Sequence, residues 1–220
     1  ENDFLKKIRK ITKQKKIVLI FDECTSGFRQ TYGGLHKLYK VNPDIAVFGK
    51  SLGNGYPITA IIGSKKIMEF SQLSFISSTF WSERSGYVAA LKTLEIMEKK
   101  KSWLLITKKG MQIRNKWQQL SKKHNLDIEI SGIPAISVFS FKSKKSKQYI
   151  TFITQEMLKS GYLANNMVYV SVQHSEKVLR KYFNILDECF KKISLCESKK
   201  LDIKKLLNTT VFKENFLRLN

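Results

Sequence analysis

Residues 17–23, IVLIFDE, set five apolar side chains in a row, Ile17 to Phe21, directly before two carboxylates, Asp22 and Glu23. A short, unbroken apolar run reads as a strand buried on both faces, as in parallel sheets, so it demands neighbouring strands and covering helices. The acids then fall at the carboxyl end of a strand, where open α/β sheets gather their ligands. A second buried run, DIAVFGK, ends at Lys50, and a third, ITAIIGS, covers Ile58–Gly63. A helix is expected over 3–14 and another over about 85–99, where Val88, Leu91, Leu94, Ile96 and Met97 lie near helical spacing.

Beyond residue 101 the order changes. A helix near 103–123 leads to the strands IEISG and AISVFSFK, a helix near 149–159, a short strand VYVSV, a helix Ser175–Ile193 and a polar tail. Helices and strands in this α+β order point to a second, smaller domain, giving 1–100 and 101–220 as the expected division. The chain opens on Glu1, and its lysine-rich amphipathic start runs at once into the apolar strand, so a fragment is expected.

Forty Lys and Arg against 18 Asp and Glu give a net charge of +22 in 220 residues. That excess suits nucleic acid or an anionic surface. Arginines, the residues that fork onto bases and phosphates, are few, however, and the lysines cluster on helix faces such as KKIRKITKQKK and MEKKKSW. The charge is therefore read as solvated helix surface, with a basic nucleic-acid-binding fragment kept as the alternative from another class. Cys24, Cys189 and Cys196 show neither a disulfide framework nor zinc spacing, so no metal site is expected. With no apolar run near 18 residues, the expectation is a cytoplasmic protein without a membrane anchor.

Asp22 and Lys50 stand at two strand ends, 28 positions apart (50 − 22). Each has a plain structural alternative, the acid as a turn former and the lysine as a solvated loop residue. A phosphate loop fails on spacing and order: GKS at 49–51 lacks the glycine five positions before Gly49, where Asp44 stands, and the acid-ended strand precedes the lysine. A chemistry that uses both residues is that of pyridoxal phosphate. A buried-strand acid holds the ring nitrogen protonated, and a lysine on a neighbouring strand end bonds the cofactor aldehyde. Gly53 and Gly55 let the chain turn tightly beside it.

FDECTSGFR, YGGLHKLYKVNPDIAVFGKSLGNGYPITAIIGS and SSTFWSERSGYVAALKTLEIME resemble the central signature of the class III aminotransferases, and most of all the branch that contains glutamate-1-semialdehyde 2,1-aminomutase. The likeness runs from residue 1 to about 195 and rests on four features in order: an acid-ended strand, PD before the next strand, GK at its end, and a glycine-rich turn closing in Pro57. It implies an α/β protein of pyridoxal-phosphate fold type I, a partial large domain of mostly parallel sheet followed by a small α+β domain. It implies pyridoxal 5′-phosphate as cofactor, with Asp22 on the ring nitrogen, and Lys50 as the covalent attachment and proton shuttle. Thr79 matches the family threonine that reaches the cofactor phosphate of the other subunit in a homodimer; a cap for the coming helix is its competing role. Ser26 stands where the family usually has Thr, and WSER replaces the common GNP after the threonine. The implied reaction is transfer of an amino group between a small-molecule donor and a keto or aldehyde acceptor, with the aminomutase as the alternative and a catalytically inactive dimer partner as a third reading. The resemblance also implies that the family's front half is missing, and with it most of the phosphate cradle, so the fragment alone is expected to be inactive. His174 is read as ordering a turn, Glu23 as a structural anchor, Cys24 as a small packed residue, Trp81 as packing or pocket wall, and Arg29 as meeting a substrate carboxylate or a neighbouring acid.

Overall fold

The computed structural model describes residues 3–213 and divides into two compact units, Glu1–Leu105 and Ile106–Asn220. In the first, helix α1 (Phe4–Gln14) precedes strand β1 (Ile20–Asp22), a short helix α2 (His36–Tyr39) precedes β2 (Ile45–Phe48), and β3 (Ala60–Gly63) is followed by α3 (Lys65–Met68) and α4 (Arg84–Lys100). The sheet order is β1-β2-β3. β1 and β2 are parallel, in register Ile20↔Ile45 to Asp22↔Val47, while β3 runs antiparallel to β2. Only residues 49–59 join β2 to β3, fewer than the dozen or so that a parallel crossover needs.

The apolar run Ile17–Phe21 becomes strand only in its last part, a correction to the expected strand 17–22. Pairing begins where β2 begins: the Leu19 carbonyl accepts from the Asp44 and Ile45 amides, and the ladder continues from Ile20. Nor is the run buried on both faces, since Ile17, Val18 and Ile20 are exposed, as are Ile61 and Ile62 of β3. What core this unit has gathers on β2, the turn Lys50–Leu52 after it and α4, where Ala46, Phe48, Leu52 and Ala90 are buried and Phe28, Ile58, Ala60 and Leu94 pack against them. Asp44 pins the start of the sheet, its Oδ2 accepting from Arg9 Nη1 of α1 at 2.9 Å and from the Leu19 amide at 2.8 Å.

The second unit holds most of α5 (Ser102–Lys123), then β4 (Ile128–Ile133), β5 (Ile136–Phe141), α6 (Ser146–Lys159), β6 (Met167–Tyr169), α7 (Glu176–Glu197) and α8 (Ile203–Leu206). Its sheet, β4-β5-β6, is antiparallel throughout. The alternation of β5 turns Ser137, Phe139 and Phe141 inward, and Phe139 meets Trp117, Phe141 and Phe190 edge-on. Trp117, wholly buried, donates its indole N–H to Tyr182 Oη at 3.0 Å, so the aromatic core carries its polar atom without loss. Cys189 and Cys196 are buried in this core; burial pushes the Cys189 thiol up to about 12. The last residues of the tail, 214–220, lie outside the described residues.

Candidate active site

Because β1 and β2 are parallel neighbours, their carboxyl ends lie side by side, and the chain that leaves each end carries one of the two predicted residues. Asp22 closes β1 with its side chain exposed, Oδ1 accepting from the Cys24 amide at 2.9 Å. The Cys24 amide and thiol hold its carboxyl below the usual carboxylate range against the opposing effect of burial, and the nearby Lys50 charge adds to this. Asp22 is thus an anion that senses the Lys50 charge just past the end of the next strand. Lys50 opens the single turn Lys50–Leu52 just after β2, in the left-handed region at φ 44°. A side chain seldom sits there, and the conformation costs about 1 kcal/mol or more unless its surroundings impose it. The surroundings do impose it: Leu52 N–H donates to the Gly49 carbonyl and Asn54 N–H to the Lys50 carbonyl. At Gly53 a Cβ would come within 2.1 Å of the Tyr56 carbonyl oxygen, and Gly55 has φ 111°, so both glycines of the predicted turn are needed where they stand.

The Lys50 Nζ donates to Thr25 Oγ1 at 2.5 Å. Lys50 lines an open concavity of about 790 Å³ with Tyr56, Pro57, Ser78, Trp81 and Tyr87. Thr79 stands exposed in the loop that borders this space, between Ser78 and Phe80, both of which line it. It does not cap α4. Glu83 does, its Oε1 accepting from Ser85 N–H at 2.9 Å and its Oε2 from Gly86 N–H at 3.4 Å. The Ser85 hydroxyl and then the Ser85 amide hold the Glu83 carboxyl below its ordinary value. Trp81 is exposed, and its carbonyl accepts from Tyr87 Oη at 3.0 Å.

Glu23, beside Asp22 in sequence, has a different role. Only 4% exposed, it accepts from the Ser26 hydroxyl, from the His36 amide at 2.9 Å, and meets His36 Nδ1 at 3.0 Å. Burial raises its carboxyl, but the hydrogen bonds from Ser26, His36 and Leu35 outweigh this and leave it lowered. Glu23 thereby ties the turn after β1 to the entry of α2. Arg29 Nε donates to the Thr25 carbonyl within that turn. His174 belongs to the second unit, where its Nδ1 accepts from the Ser171 amide, ordering the turn before α7. Sequence reasoning passes over Thr25 and Glu83. Thr25 follows Asp22 by three positions but touches a residue 25 positions away, which no local pattern reveals. Glu83 is not among the residue types that most often cap helices.

The arrangement offers an anionic carboxylate able to hold a cationic ring nitrogen and a primary amine able to react with a carbonyl. Among the described residues no group of His, Cys, Asp and Glu is placed to hold a metal ion, and no helix is long and apolar enough to cross a membrane.

Comparison with known proteins gives this arrangement its context. The family described as Aminotransferase class-III matches residues 1–186. The 3-aminobutyryl-CoA aminotransferase of Cloacimonas acidaminovorans is 34% identical over 66% of the chain and 36% of its own length. A glutamate-1-semialdehyde 2,1-aminomutase of Methanococcus maripaludis is 31% identical over 88% of the chain and 49% of its own length. The chain therefore spans at most about half of the curated relatives it matches. Among solved structures, the FumI protein of Sphingopyxis sp. MTA144, described as a PLP internal aldimine form, superposes with TM-score 0.82 at 22% identity, over 94% of this chain and 50% of that one. An omega-transaminase from Sphaerobacter thermophilus gives 0.77 at 20% identity, over 87% and 48%. The chain has the fold of these transaminases, the fold type I expected from its sequence.

Proposed function

The chain belongs to the class III aminotransferase family, and from that membership we propose that the protein of which it is part binds pyridoxal 5′-phosphate through Asp22 and Lys50 and moves an amino group between a small-molecule donor and a keto or aldehyde acceptor. The observation that carries this is the pairing itself: a carboxylate held charged and a primary amine, at the ends of two adjacent parallel strands, the amine on a concavity. The fit is chemical as well as positional, since the anion suits a pyridinium nitrogen and the amine suits an aldehyde. When bound, the cofactor supplies an electron-withdrawing ring that takes up the electron pair left when a substrate Cα–H bond breaks. Asp22 keeps the ring nitrogen protonated. Lys50 Nζ would carry the proton between the substrate Cα and the cofactor carbon C4′. Thr79 donates its hydroxyl to the cofactor phosphate across a homodimer. On this reading residues 1–100 complete a large cofactor-binding domain and 101–220 form the small domain, in the cytoplasm; the division of the chain after Leu105 supports the boundary.

The aminomutase is the second reading, favoured by the Methanococcus relative, which matches 88% of the chain. Nitrogen-15 distinguishes the two. The full-length protein, supplied with the cofactor, a labelled donor such as glutamate or alanine and a panel of keto acceptors, is expected to place label in a separate acceptor molecule. Label confined to a positional isomer of the starting molecule selects the aminomutase, and no transfer of either kind contradicts the proposal.

A further inference from the structure

We propose that Thr25 is a positioning residue for Lys50, its hydroxyl acting as the resting partner that aims the Lys50 amine whenever that amine is not bonded to cofactor. The inference rests on the functional reading above for the amine's role, but the contact stands on its own geometry. Lys50 Nζ donates to Thr25 Oγ1 at 2.5 Å, although the lysine is exposed and has open space beside it. An exposed lysine ordinarily keeps its rotamer freedom in water, so one fixed partner is informative only if that partner is itself held.

Both ends of this contact are held. On one side, the turn that carries Thr25 is locked by the buried Glu23, which accepts from the Ser26 hydroxyl, and by the Gly27 amide donating to the Glu23 carbonyl at 2.8 Å. Gly27 presses onto β2: a Cβ there would lie 2.7 Å from the Glu23 carbonyl oxygen and 2.8 Å from the Phe48 ring. On the other side, Phe48 is the last residue of β2, two positions before Lys50, and Lys50 itself is fixed in its left-handed conformation by the turn it opens. The hydroxyl and the amine are thus joined through a short run of packed atoms, Glu23 to Gly27 to Phe48 to Lys50. An amine that must take a proton from a single substrate carbon gains from such aim, because small displacements of a catalytic group are costly in rate. A hydroxyl is well suited as the acceptor, because it occupies one N–H and leaves the remaining positions of Nζ for the proton transfer.

Thr25→Val keeps the branched shape and deletes the hydroxyl; Thr25→Ser keeps the hydroxyl and deletes the methyl. In full-length protein stripped of cofactor, the acylation rate of Lys50 is read by peptide mass mapping, with the exposed Lys65 and Lys66 as internal standards. Thr25→Val is expected to raise labelling of Lys50 about threefold relative to those standards, the size of a partly solvated hydrogen bond to a cation, and Thr25→Ser to restore it. In cofactor-loaded protein Thr25→Val is expected to lower kcat about tenfold with little change in the donor KM, again restored by Ser. Unchanged labelling and turnover in Thr25→Val overturns the proposal, and so does a loss that Ser fails to restore, since that assigns the effect to the methyl's packing. If the parent protein transfers no amino group at all, the functional reading fails, and the labelling arm still decides whether Thr25 holds Lys50.

Discussion

Replacing Asp22 by asparagine keeps the shape of the side chain and its capacity to accept from the Cys24 amide, but removes the charge proposed to hold the cofactor ring nitrogen. Amino transfer is expected to fall by about 100-fold or more while cofactor affinity falls much less, as measured by single-turnover rates against cofactor titration; near-normal rates would remove Asp22 from its role. Glu23→Gln probes structure instead. The Glu23 carboxyl is lowered in the folded protein from the usual 4.5, so the stability it contributes is present above that value and is lost as pH falls through the lowered one. Removing the charge is expected to cost about 2 kcal/mol at neutral pH, because the bonds from Ser26 and His36 weaken together, and to flatten the stability curve on its acid side. Urea unfolding at pH 7 and at pH 3.5 checks both, and a variant as acid-sensitive as the parent would contradict it. These two neighbours show what a sequence makes legible. The strand-end position of Asp22 is a local pattern, and so is that of Lys50. Glu23 is hydrogen-bonded by His36, and Lys50 donates to Thr25, contacts that reach 13 and 25 positions along the chain.

At the scale of elements, the helices follow from periodicity because each carries its own apolar stripe. α4 spans Arg84–Lys100 where 85–99 is expected, and α5 spans Ser102–Lys123 where 103–123 is expected. Strands are less legible, since a strand exists only where a partner does. Ile17–Leu19 have the composition of β1 but precede its ladder with β2, and the direction of β3 is set by the short connection before it. Close packing between elements is not legible at all. Gly110 lies inside α5, where a glycine is normally unfavourable, yet a Cβ there would sit 1.9 Å from the Pro134 carbonyl oxygen. Gly110→Ala is therefore expected to destabilise the second unit by about 1–3 kcal/mol, against the roughly 1 kcal/mol gain that helix propensity alone gives. Thermal unfolding followed by circular dichroism reads the sign, and a stabilised variant would show that α5 has room at that turn.

For the molecule as a whole, the two units differ sharply in how much they bury. The second has an aromatic core around Trp117, Phe139 and Phe190, whereas the first leaves Ile20, Ile61, Ile62, Val88 and Leu91 exposed. Apolar strands and an apolar helix face open to water are an association hazard. The 220 residues expressed alone are expected to bind an apolar dye and to self-associate in light scattering despite the net charge of +22; a dye-silent monomer would mean that these faces are covered in some other way. The central claim, that Lys50 is the residue the cofactor joins, has a more direct test in the full-length protein. Loaded with pyridoxal phosphate, reduced with borohydride and digested, it is expected to yield the cofactor mass on the peptide that contains Lys50, and to lose it in Lys50→Ala. Recovery of that mass on a peptide containing Lys65 or Lys66 instead, with Lys50 unmodified, would contradict the account.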